Sequence, residues 1–247
     1  MTEECLEIKL LKGSTVIIDG IKIQPLTLEE IVEDIDLDEY YKLLGILAID
    51  KIRLKDMPKE VLNEFETFDI FLSDQSLMTS LLAFFKTFLK HDDVFFMPES
   101  QNIEIRYEDN LARITRYNYD KITRILRKMY CVQFQKEDEY NPHNDKAREL
   151  IEKIKKKNAE LARLKSKQGE DVNIISIISG VAWKSTNTNI FDVFNLTVFQ
   201  LYDAFYRLEI VDNYNNTMTG LYAGTVDAKK TNMKQLTWAK RYSSLIE

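Results

Sequence analysis

Glycine, proline and cysteine are scarce in this chain. Its 247 residues contain seven glycines, four prolines and two cysteines. Few glycines and prolines mean few tight turns and few helix breaks, so long helices are favoured over hairpins. Cys5 and Cys131 lie far apart and lack neighbours at metal-ligand spacing, which fits two free thiols in a reducing compartment. No apolar run approaches the roughly 20 residues needed to span a bilayer. The opening MTEECLEIKLL is acidic and lacks the apolar core of a signal peptide. The expectation is a protein of the cytoplasm in which it is made, with no membrane partner.

Chemical motifs are missing as well. No glycine-rich phosphate loop, dinucleotide fingerprint or Gly-x-Ser-x-Gly is present. The two histidines are His91 and His143. His91 precedes Asp92 and Asp93, a set that could touch a metal. Sequence neighbours without a second ligand pair rarely converge, so KHDD reads better as a solvated loop. His143 lies in the polar break NPHND and reads as exposed. Cys131 follows an apolar helix face and reads as a small core residue rather than a nucleophile. These absences lead us to expect no catalytic residue, no cofactor, no metal and no enzyme.

What is present is ordinary in bulk. Hydrophobic residues make up 45% and charged residues 30%, as in a folded soluble protein. The net charge of −6 argues against a dedicated nucleic-acid binder.

Along the chain, residues 6–24 read as short strands. Leu6, Ile8 and Leu10 alternate with charged neighbours, and two β-branched runs flank Asp19-Gly20, a pair suited to a tight hairpin turn. PLTLEEI then signals a helix start. Thr27 caps it, Glu30 completes a capping box, and Leu26 with Ile31 can form a hydrophobic staple. NLTVFQL repeats that grammar with Thr197, Gln200, Leu196 and Leu201. Thr27 to Glu39 holds seven acidic residues and no basic one, either a solvated face or an acidic docking patch.

Helices are expected over Tyr40 to Ile49, Met57 to Leu72, Ser73 to Lys90 and Tyr119 to Phe134, with β-like segments over 94–116. A polar break around Pro142 separates an N-terminal β-hairpin plus helical domain (1–140) from a charged helical linker (141–170). A C-terminal helical region (171–247) follows. From Lys146 to Lys167 there are nine basic residues against three glutamates. Lys153, Lys155, Lys156, Lys157 and Arg163 mark this basic face. It holds no aromatic on which a base could stack, so a solvated or coiled-coil face competes with binding to an acidic protein or nucleic acid. The last third reads as helices over Ile174 to Trp183, Thr197 to about Asp212, Met218 to Ala223 and Met233 to Tyr242. The fold class expected is α+β and mainly α-helical: a small β-rich N-terminal part, bundle-like helical regions and a long charged helix.

The densest feature is Asn189 to Tyr214, which carries seven aromatic rings and no histidine, cysteine, serine, glycine or lysine. On a helix from Thr197, Val198, Leu201, Tyr202, Phe205 and Leu208 share one face, and Phe199, Tyr206 and Ile210 a second. Asp203 and Arg207, four apart, can pair for about 0.2–0.5 kcal/mol. Burying one Phe or Leu contributes about 1.5–3 kcal/mol, so contact surface decides the role of this helix. A helix apolar on most sides must be central to a core or covered by another chain. The candidate contact residues are Val198, Phe199, Leu201, Tyr202, Phe205, Tyr206 and Leu208.

Several stretches together resemble proteins of tailed bacteriophages and prophages of low-GC Gram-positive hosts. They are IIDGIKIQPLTLEEI, NPHNDKARELIEK, IISIISGVAWKSTNTNIFDVFNLTVFQLYDAFYRLEIVDNY, LYAGTVDAKK and LTWAKRY. The resemblance, over about two thirds of the chain, is to the tail assembly chaperones encoded near the tape-measure protein. Those relatives carry a tryptophan shortly before LTVYQLYDQF-like residues; here Phe194 takes that place and Phe199 replaces the tyrosine. The resemblance implies a protein that binds tape-measure or other tail proteins in the host cytoplasm, with self-association as a further expectation. Two other readings stay open: a structural component of the virion, such as a tail, neck or baseplate subunit, and a nucleic-acid-binding regulator using the basic helix.

Overall fold

Secondary structure follows local signals except where tertiary burial overrides them. The computed structural model describes residues 2–49, 66–108, 110–132, 173–227, 229–232 and 236–239. The basic segment 146–167, the break around Pro142, His143 and most of the expected helix from Met57 lie outside these residues.

The first element corrects the sequence reading. Residues 6–10 are not a strand; they belong to helix α1 (Glu3–Lys12). Leu6 and Leu10 are buried while Ile8 is exposed. Leu6 and Leu10 are four apart, so they share a helix face as readily as a strand face. The overlooked signals were at the ends. The Thr2 hydroxyl accepts from Cys5 N, Glu3 and Glu4 sit in the first turn, and Gly13 closes the helix at φ 69°.

Strands β1 (Val16–Ile18) and β2 (Ile21–Ile23) form the expected hairpin, with Val16 opposite Ile23. Asp19 and Gly20 both have positive φ, 49° and 81°, as this turn requires. Helix α2 (Leu28–Glu30) carries the predicted capping box, then widens into a π-helical turn over Ile31–Ile35. Asp36, at φ 77°, separates it from α3 (Leu37–Leu47).

Helix α4 (Thr67–Ser73) and helix α5 (Gln75–Leu89) follow. A three-stranded antiparallel meander comes next: β3 (Val94–Met97), β4 (Asn102–Arg106) and β5 (Leu111–Ile114). Glu104, buried on β4, faces Arg113 on β5, whose Nε lies 3.0 Å from its carboxylate. Helix α6 (Tyr119–Met129) ends in a turn where Cys131 takes φ 53°.

The C-terminal part holds α7 (Ile174–Lys184), a short turn of helix at Val193–Asn195, and α8 (Val198–Tyr222). Helix α8 is longer than the sequence reading. The two expected pieces, to about Asp212 and over Met218–Ala223, are one 25-residue helix. Asn213, Asn215, Asn216, Thr217, Thr219 and Gly220 are poor helix formers, and they hid this continuity. Leu236–Ala239, within the expected last helix, has no helical structure. The fold is α+β and mainly helical, with its strands in the N-terminal half.

One cluster of buried residues joins both halves. It runs from Leu6 and Leu10 through Phe84, Phe85 and Phe88 to Ile177, Val181, Val198 and Leu201. The aromatic centre lies around α5. Phe84 stacks on Phe88 with centroids 4.6 Å apart, and Tyr130 meets Phe88 edge-on at 4.7 Å. Burial fixes the Tyr130 hydroxyl as protonated, and it accepts a hydrogen bond from Leu26 N at 3.1 Å.

Candidate protein-contact site

The two capping boxes that look alike in sequence meet in space. Thr27 and Thr197 face each other across an isolated antiparallel bridge, and Leu28 N donates to Leu196 O at 2.9 Å. The Leu28 amide, an otherwise orphaned donor in the first turn of α2, thereby gains an acceptor beside the start of α8. Thr197 N donates to Gln200 Oε1 at 2.8 Å, and Gln200 Nε2 donates to Leu11 O at 2.8 Å. Gln200 therefore ties the start of α8 to the end of α1. On the α2 side, Glu30 accepts from Lys90 Nζ at 2.5 Å and from Thr27 N at 2.8 Å. Partial burial would raise the Glu30 pKa, but Lys90 and these hydrogen bonds outweigh it and hold it below its ordinary value.

From this anchor α8 runs outward for about 37 Å, at 1.5 Å per residue. Its burial changes within one turn. Val198, Phe199 and Leu201 are buried in the shared core. From Tyr202 to Tyr222 no residue is fully buried. Tyr202, Phe205, Tyr206 and Leu208 pack against the core with one side only. The seven candidate residues are thus three core residues followed by four half-covered ones. The Lys153–Arg163 candidates lie outside the described residues.

Around Tyr202 the chemistry is muted. Burial, helped by the nearby Asp203 charge, pushes the Cys131 thiol up to about 12, so it stays protonated and is a poor nucleophile at neutral pH. Burial also raises Tyr202. Asp203 is raised by desolvation, against the pull of Arg207. Arg207 donates from Nη1 to Trp238 O at 2.9 Å, which ties the C-terminal segment back to α8. His91 is not free in solvent either. Its Nε2 lies 2.6 Å from Arg106 O, and its ring stacks on Tyr107 at 4.8 Å. Among the described residues no group of three His, Cys, Asp or Glu side chains converges as a metal site.

Helix α7 lies along α8, with Ile174, Ile177, Val181 and Ala182 facing inward. Its outer face carries Ile175, 66% exposed, and Trp183, 79% exposed; Phe191 in the following loop is 84% exposed. Between the helices runs a groove of about 420 Å³, floored by Phe205 and Leu208. Lys184 and Asp212 form an ion pair at its edge. Gly180 lies on its wall, and a methyl group added there would meet no atom within 4 Å. A mid-helix glycine costs about 0.5–1 kcal/mol relative to alanine, so the opening is held at a loss of stability. Sequence reasoning missed Gly180, Trp183 and Phe191. Glycine inside IISIISGVAWK was the signal that could have found the groove, since apolar helices usually fill such a position.

A protein-family model described as the YomV second domain matches residues 165–243. That family is phage-associated, from a Bacillus prophage, and the match is consistent with a phage protein. The matched span is about a third of the chain and includes all of α7 and α8. No curated protein and no solved structure matches the chain. Among the described residues no helix is long and apolar enough to cross a membrane.

Proposed function

We propose that this chain is a non-enzymatic phage protein that acts through protein contacts in tail assembly, as a chaperone of the tape-measure protein. The observation that carries the reading is the half-covered run of Tyr202, Phe205, Tyr206 and Leu208 beyond a firmly anchored helix start. Large apolar side chains left partly open keep contact surface for a partner's helix beyond what the fold uses. The phage-associated match spans this same region, and the resemblance to tail assembly chaperones supports the partner. The protein would act in the host cytoplasm, holding long apolar helices in solution while tail subunits polymerise.

Co-expression with a tape-measure protein from the same phage genome, followed by pull-down through a tag on this chain, tests the reading. Retention of the partner, and its precipitation when expressed alone, is the expected result. No retention, with both proteins soluble alone, would sink it. Mass spectrometry of purified virions separates chaperone from structural subunit: scarcity is expected, and stoichiometric copies would assign the chain to the particle.

A further inference from the structure

We propose that the groove at Gly180 is the docking site for an amphipathic helix whose apolar side chain enters the gap and whose basic residue pairs with Glu209. The inference rests on reading α7 and α8 as the partner surface, and adds the chemistry of what they bind.

Among the described residues, nothing explains the glycine. Its backbone lies outside the left-handed region, so no special φ demands it. No neighbour approaches closely enough to forbid a side chain, since an added Cβ meets nothing within 4 Å. The missing side chain instead leaves Phe205 and Leu208 uncovered along a groove of about 420 Å³. Helices α7 and α8 have their interior backbone groups paired within themselves, so this surface cannot accept an added strand. A groove between two helices takes the side-chain ridge of a third.

Charge decides what kind of helix. Lys184 and Asp212 already pair at the rim. Glu209, exposed on the same rim, has no ion-pair partner among the described residues. Among the described residues the rim therefore carries one uncompensated negative charge, which attracts a lysine or arginine and repels a carboxylate. An apolar stripe flanked by basic residues satisfies floor and rim together.

The test uses the full chain and two synthetic labelled helices of about 18 residues, five turns each. Both carry the same leucine stripe; one is flanked by lysines and its twin by glutamates. Fluorescence anisotropy should show the lysine helix bound about tenfold tighter or better than its twin. Gly180→Leu fills the gap and should weaken the lysine helix by about tenfold or more, with a melting temperature no lower than wild type. Glu209→Lys should reverse the preference between the two helices while leaving the fold intact.

Equal binding of both helices would overturn the proposal. So would binding of the lysine helix that is indifferent to Gly180→Leu, since that is general attraction to an acidic protein. Concentration-dependent dimerisation abolished by Gly180→Leu, and undisturbed by either peptide, would give the groove to a second copy of the chain and equally overturn it. If the peptide results hold but the tape-measure protein is never captured, the chaperone reading fails and the groove's specificity stands. Should capture succeed and survive Gly180→Leu, the groove fails and the chaperone reading stands.

Discussion

Helices α5 and α8 are built from the same materials and put them to different uses. Each places aromatic and aliphatic residues at three- and four-residue spacing. In α5, Leu81, Phe84, Phe85 and Phe88 are all 0% exposed; Phe84 stacks on Phe88 and meets Phe85 edge-on, and Phe88 meets Tyr130 edge-on. In α8, only the first turn is buried, and Tyr202, Phe205, Tyr206 and Leu208 keep one side open. The difference lies in the neighbours. Among the described residues, α5 is enclosed by α3, α4, β2 and β3, whereas α8 packs against α7, α1 and α6 and still has no fully buried residue beyond its first turn. Apolar content alone does not separate a core helix from a contact helix; coverage does.

The comparison can be broken by truncating equivalent rings. Phe88→Ala should cost about 3–5 kcal/mol, the range for deleting a fully packed Phe. Phe205→Ala should cost less, about 2 kcal/mol, because that ring is only partly buried. Denaturant unfolding of both variants checks this, and equal losses would erase the distinction between the helices.

The anchor of α8 gives the next largest effect. Thr197→Ala should lower stability by about 1 kcal/mol through loss of the cap. Thr27→Ala should do the same. Because the two helix starts bridge each other, the double variant should depart from the sum of the single losses, as contacting sites do. Strict additivity in a double-mutant cycle would mean that the two boxes merely resemble each other.

Two pH effects sharpen the contrast between the anchored base and the open arm. The folded-state pKa of Glu30 is held below its ordinary value of 4.5 by Lys90 and Thr27, despite the opposing effect of burial. Its contribution is therefore complete above pH 4.5 and is lost as pH falls through the folded value. The stability gap between wild type and Glu30→Gln should close on acidification and stay constant from pH 6 to 8. Asp203 behaves oppositely. Burial raises its folded pKa, so its ionised form weakens the fold at neutral pH. Asp203→Asn should be slightly more stable than wild type at pH 7, and that advantage should shrink as pH falls through the folded pKa. Thermal melts across a pH series read both.

The fold was legible in sequence wherever a local signal had one meaning. Asp19-Gly20, the Thr27 box and the Phe84–Phe88 face each permitted one structure, and each formed it. Leu6, Ile8 and Leu10 failed because alternation and four-residue spacing coincide in a short run, and only burial of Leu6 and Leu10 together decided for a helix. The full length of α8 was hidden by asparagines and threonines whose weak propensity is overridden once a helix is anchored at one end. Within the candidate site, the aromatic run was plain, but its division into buried and half-covered parts depends on where α1 and α7 lie. The Gly180 groove arises between two helices and exists in neither alone.

The most direct test of the central claim, that α8 beyond its first turn serves contact rather than core, pairs stability with binding in one variant. Phe205→Ala/Leu208→Ala should remain folded, with a melting temperature well above that of Phe88→Ala, and should no longer retain the co-expressed tape-measure protein. Unfolding of the double variant to the extent seen with Phe88→Ala, or full retention of the partner, would contradict the account.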